Sequence, residues 1–130
     1  MLKTICGLAV AAAVIFSAPA FAASGTQRAL EKLEPSTRMI EVCDIAVSAR
    51  LAKETAYDKV DRLVADAAKD AVVGANAVTA KGAAFRNEGH WYGLSYACGL
   101  KPDHLSVKTL TYSVGAEIPE SSWEKYGLWR

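Results

Sequence analysis

Two cysteines, Cys43 and Cys98, constrain this chain more than any other feature, because a bond between them ties the first half of the sequence to the second. They are the pair left once Cys6 is set aside with the first 22 residues, which read as an export leader. Met1-Leu2-Lys3 is a short basic start, and residues 5–16 are almost wholly apolar. Ser17-Ala18-Pro19 breaks that run, and Ala20-Phe21-Ala22 supplies the small residues of a cleavage site. Cleavage is expected after Ala22, with Ala18-Pro19-Ala20 as a nearby alternative. The apolar run of about a dozen residues falls short of the roughly 20 that a spanning helix needs. Cys6 also lacks the small residues that precede a lipid-modified cysteine. No stable membrane anchor is therefore expected after cleavage, and the predicted location is periplasmic or secreted.

An exported chain with two cysteines can pair them in one way, and an oxidising compartment favours the bond. Closing a loop of this length restricts the unfolded chain by about 4 kcal/mol. That is a large share of the roughly 5–15 kcal/mol that holds a typical domain together. A metal site using both sulfurs would ordinarily show close Cys-x-x-Cys or His-x-His spacing, and neither occurs.

Without its leader the 130-residue chain keeps 108 residues, enough for one domain over 23–130 and cramped for two. The apolar content of 52% is too high for a disordered chain. The leader removes Lys3 and no acid, leaving 14 basic and 14 acidic residues. A neutral chain has no global field to draw it to nucleic acid or an anionic membrane, so no nucleic-acid partner is expected.

Along the mature chain, residues 23–27 are small and polar and read as a flexible start, and Leu30 and Leu33 suggest one docking helical turn. Glu34-Pro35 then opens the clearest helix, since proline suits the first helical position and an acid favours the positive end of the dipole. From Ser36 to about Ala56, Met39, Val42, Cys43, Ala46 and Ala49 form an apolar stripe that Ile40, Val47 and Leu51 widen. The charged residues, Asp44 among them, fall mostly elsewhere. Residues 57–71 fit a helix and also alternate as a strand; a strand over 62–67 is the preferred reading. Residues 69–82, with Gly74, Asn76 and Gly82, read as a connection holding one short strand at 77–80.

The remainder reads as β. Residues 83–87 are followed by a Glu88-Gly89 turn and a strand over 90–98, with Tyr92, Leu94, Tyr96 and Cys98 on one face and Trp91 on the other. After Lys101-Pro102-Asp103, the apolar parity of residues 105–114 switches, which predicts a β-bulge near Lys108-Thr109. Ile118-Pro119 ends the sheet, and residues 121–126 form a helical turn. The fold class expected is α+β: one long N-terminal helix packed on a three- to four-stranded antiparallel sheet, tied by Cys43–Cys98.

The segments LEPSTRMIEVCD (33–44) and GAAFRNEGHWYGLSYACGLKPDHLSVKTLTYSVGAEIPESSWEKYGLW (82–129) resemble domain-of-unknown-function family 930, small exported alphaproteobacterial proteins. The likeness covers about 60 of the 108 mature residues and includes both cysteines. It implies export and the cysteine pairing, and it carries no activity or ligand.

Candidate chemistry is sparse. His90 and His104 have no motif that supplies a nucleophile and an orienting acid. Each opens a strand, which places them at opposite ends of the sheet and argues against a shared metal. The acids are scattered, not paired in a cleft, and residues 82–84 lack the spacing and lysine of a phosphate loop. No catalytic residue, cofactor or metal is assigned. The aromatics carry more information. Trp91 on the outer sheet face, Arg86 on the neighbouring strand, and Trp123 and Trp129 near the C-terminus form a candidate binding surface. The competing arrangement buries Trp91 beneath the C-terminal tail. The function expected is a non-enzymatic binding or interaction module whose partner is an envelope protein or a small ligand. The alternative is a small envelope hydrolase or enzyme inhibitor.

Overall fold

Proline disfavours helical geometry in the residue before it, and the chain breaks its first helix on that rule. The computed structural model describes residues 25–130; the expected leader and cleavage site lie outside them. Helix α1 runs Gly25–Glu31, so that it replaces part of the expected flexible start (23–27) and takes in the helical turn expected at Leu30, and α2 runs Pro35–Glu54. Glu34 between them is extended (φ −57°, ψ 144°), and its carboxylate accepts from the Ser36 and Thr37 amides at 3.2 Å each. Those bonds hold the Glu34 carboxyl below the usual carboxylate range. Arg38 reaches back to donate to the Leu30, Glu31 and Leu33 carbonyls at 3.0, 2.7 and 3.2 Å. It thereby satisfies acceptors that α1 leaves open at its end. The helical part is thus a 20-residue helix with a seven-residue one before it, not one continuous N-terminal helix.

On α2 the buried residues are Met39, Val42, Cys43, Asp44, Val47 and Leu51. The i, i+4 ridge of Met39, Cys43, Val47 and Leu51 lies on the sheet, and Ala49 of the expected stripe is exposed. No described helix is long and apolar enough to cross a membrane.

The sheet is antiparallel and has five strands where three or four were expected: β1 (Val60–Lys69), β2 (Val72–Val73), β3 (Ala77–Asn87), β4 (His90–Leu100) and β5 (Val107–Glu117). Their order is β1-β3-β4-β5, with β2 pairing the first part of β3. The supposed connection around Gly82 is strand. A Cβ on Gly82 would lie 2.4 Å from the Lys69 amide nitrogen, so glycine is there to admit β1 at a bulge between Ala80 and Ala83. Glu88 (φ 52°) and Gly89 (φ 80°) form a two-residue hairpin turn of the type that matches strand twist. Between β4 and β5, Gly99 pairs with Thr109 and Leu100 with Val107, leaving Lys108 of β5 as the extra residue of a bulge.

Face alternation on β4 divides the interior. Leu94, Tyr96 and Cys98 pack with α2 and with Val78, Ala80, Ala83 and Phe85, and Tyr92 borders them. The Cys43–Cys98 disulfide crosses this core with a Cα–Cα distance of 6.1 Å. Trp91 points the other way, into a smaller cluster with Ala84, Trp123 and Leu128. Two short 3-10 turns, Glu120–Ser122 and Glu124–Tyr126, carry the chain over that second face.

Candidate interaction surface

Arg86 of β3 and Trp91 of β4 are direct cross-strand partners on the face away from α2, where opposed side chains lie within contact distance. The Arg86 guanidinium donates to both oxygens of Asp61 on β1, at 2.9 and 2.7 Å. This two-point geometry is the strong form of an ion pair. It holds the Asp61 carboxyl below its usual range and raises Arg86 further. The same guanidinium lies 5.8 Å from the Trp91 ring centre and 5.9 Å from that of Trp129, within cation–π range. The two indoles meet edge to face at 5.4 Å and 62°.

The C-terminal segment is fastened by its tryptophans. Trp91 Nε1 donates to the Trp129 carbonyl at 2.7 Å, and Trp123 Nε1 to the Ile118 carbonyl at 2.9 Å. The Leu128 amide closes back on the Trp123 carbonyl at 2.8 Å, and Gly127 takes the left-handed conformation (φ 66°) that this reversal requires. A buried indole N–H needs such an acceptor.

The structure therefore gathers all four residues singled out in the sequence at one end of the sheet, with a correction. Trp91 is fully buried, and Trp123 and Arg86 are buried too, while Trp129 is 45% exposed. The arrangement with Trp91 beneath the C-terminal tail is the one observed, because an indole on an uncovered sheet face would leave a large apolar area in water. What faces solvent is Trp129, backed by Arg86.

The histidine side chains bond elsewhere and lie apart from each other. His90 Nδ1 lies 2.7 Å from Glu117 Oε1, both side chains exposed. His104, in the left-handed region (φ 60°), places Nε2 2.9 Å from the Ala75 carbonyl and 2.8 Å from Asn76 Oδ1. They lie toward opposite ends of β4. Among the described residues no serine, threonine or cysteine bonds to either ring, and none of the described His, Cys, Asp and Glu side chains gather in threes to hold a metal.

One chemically distinctive residue escaped the sequence reading. Asp44, assigned to the solvent side of α2, is buried, and its Oδ1 accepts from the buried Tyr96 hydroxyl at 2.9 Å. Burial pushes its carboxyl from 3.8 up to about 7; Glu41 and Asp66 add to the rise, and the Tyr96 bond opposes it. Burial raises the Tyr96 hydroxyl as well. Between pH 4 and 7 the folded chain thus keeps a proton that the unfolded chain releases, so stability falls as pH rises through that window. Asp44→Asn is expected to flatten this dependence and to raise Tm at pH 8 by about 5–10 °C. Thermal denaturation followed by circular dichroism at pH 5 and pH 8 checks it; an unchanged difference between the two would show that Asp44 is ionised in the fold.

A recess of about 540 Å³ opens between α1, α2 and the β4–β5 connection, lined by Leu30, Val42, Ala46, Leu105 and Val107, with Asp103 beside them. Three separate elements form it, so no local pattern could announce it. Its volume is that of a small-molecule site.

The family model described as Domain of Unknown Function (DUF930) matches residues 30–128. No curated protein and no solved structure matches the chain.

Proposed function

The chain belongs to the Domain of Unknown Function (DUF930) family, and from that premise we propose that it is a non-enzymatic binding module of the exported compartment. In this reading a single α+β domain is released by cleavage after Ala22 and engages an envelope protein through the corner built on Trp129 and Arg86. The observation that carries it is the state of Trp129. Its carbonyl is held by the buried Trp91 indole, yet 45% of the residue stays in water. Tryptophan is enriched among the residues that dominate interface energies, and a side chain whose backbone is already ordered loses less freedom when a partner closes on it.

Native mass spectrometry of wild type and Trp129→Ala, each isolated from its own compartment, tests this. Wild type is expected to carry a second polypeptide and the variant to lose it. The fold should survive, because the ring contact with Trp91 is worth about 1 kcal/mol and the carbonyl bond does not need the ring. A bare wild-type monomer, or a partner retained by Trp129→Ala, overturns the proposal. The recess of about 540 Å³ favours a second reading, a small apolar ligand; an added small-molecule mass that persists in Trp129→Ala would support it instead.

A further inference from the structure

The two edges of the sheet are defended differently. β1 is shifted in register twice against β3 and carries Asp61, Arg62, Asp66 and Lys69, and bulges and charges are what discourage a further strand from adding to an edge. β5 is shifted only near its ends, which leaves residues 109–114 (TLTYSV) regular, uncharged and free of proline. Six residues of that composition are the signature of a segment that pairs with its own kind.

The free backbone groups of β5 can be identified. The Leu100 amide donates to the Asn76 carbonyl on the β3 side, while the Trp91 carbonyl accepts from the Ile118 amide on the β5 side. Alternation along β4 therefore turns Ser95, Ala97 and Gly99 toward β5, where Ser113, Thr111 and Thr109 are their partners. Leu110, Tyr112 and Val114 direct their backbone outward.

One side chain from α2 occupies that row. Arg50 Nη1 donates to the Leu110 carbonyl at 2.7 Å. Its Nε and Nη2 hold the two Glu54 oxygens at 2.8 and 3.2 Å, and its guanidinium lies 5.3 Å from the Tyr112 ring centre. The Tyr112 hydroxyl donates to Glu54 Oε2 at 2.8 Å. The guanidinium is thus fixed across the centre of the regular stretch.

We propose that Arg50 locks the β5 edge against a second copy of this chain, whose own β5 would otherwise add to the sheet antiparallel. A second copy is the fitting occupant because a neutral strand meets itself without like charges opposed, and a two-fold pairing of one patch with itself closes at a dimer.

Light scattering on the full mature protein over a concentration series tests the lock. Wild type is expected to stay monomeric and Arg50→Ala to dimerise with increasing concentration. Arg50→Ala with Thr111→Lys, which sets a charge on the exposed edge, should return to monomer. In Arg50→Ala the Leu110, Tyr112 and Val114 amides should gain protection from hydrogen exchange as dimer forms. Arg50→Gln keeps most of the stem without the fork and should behave as Arg50→Ala does. A monomeric, folded Arg50→Ala, an associated wild type, or association untouched by Thr111→Lys overturns the proposal. If both Arg50 variants lose their fold, Arg50 is a stability residue and the lock falls as well.

Discussion

Trp91→Ala is expected to lower the stability of this protein by about 4 kcal/mol, the scale of emptying a fully buried tryptophan site. The ring has no accessible surface and packs with Ala84, Trp123 and Leu128. Its removal also takes away the donor that holds the Trp129 carbonyl. Two effects follow together, a cavity beneath the C-terminal segment and loss of the hydrogen bond that holds the Trp129 carbonyl. Urea unfolding followed by circular dichroism measures the first. Hydrogen exchange at the amides of residues 118–128 measures the second, and it should rise more there than around the disulfide. The contrast with Trp129→Ala is the informative part. Neighbouring indoles in edge-to-face contact differ severalfold in expected cost because one is core and the other faces water. A loss under about 1 kcal/mol for Trp91→Ala, the scale of a surface change, would mean that the tail does not cover the sheet in solution.

Replacing both cysteines, Cys43→Ala with Cys98→Ala, has an expected effect of similar size by a different route. The bond joins residues separated by 55 positions. Releasing a loop of that size returns about 4 kcal/mol of chain entropy to the unfolded state. For a domain near 100 residues this corresponds to a fall in Tm of roughly 15–30 °C. Both sulfur-bearing residues are buried between α2 and β4, so the variant also loses packing where the two layers meet. Calorimetry of the double variant beside the oxidised wild type checks the value. Wild type treated with reductant should resist at low temperature and reach the variant's Tm only after it has been unfolded once, since burial keeps reductant from the bond. Equal midpoints for the oxidised and cysteine-free proteins would place the stability in the apolar core alone.

Most of what local pattern can encode was legible in the sequence. The turn at Glu88-Gly89, the two faces of β4, the bulge at Lys108 and the helix start at Pro35 each depend on residues within a few positions of one another. The misreadings have a common cause. Gly82 looked like a chain breaker because its neighbour in space, Lys69, is thirteen positions away. Asp44 looked solvated because its partner Tyr96 lies on another element. Trp91 could be set on the outer face by alternation, but what covers that face is a segment that begins at Ile118.

The same division holds for the candidate site. Composition, cysteine count and alternation determined that this is an α+β chain with one disulfide, and that Trp91 lies on the outer sheet face with Arg86 on the neighbouring strand. Only the tertiary structure decided that Trp91 is core while Trp129 is surface, that Asp44 is enclosed, and that Arg50 lies across the β5 edge. Alternation and helical period are properties of one segment and survive without the rest of the chain. Burial is a property of what packs on that segment, and here each deciding contact joins residues from separate elements.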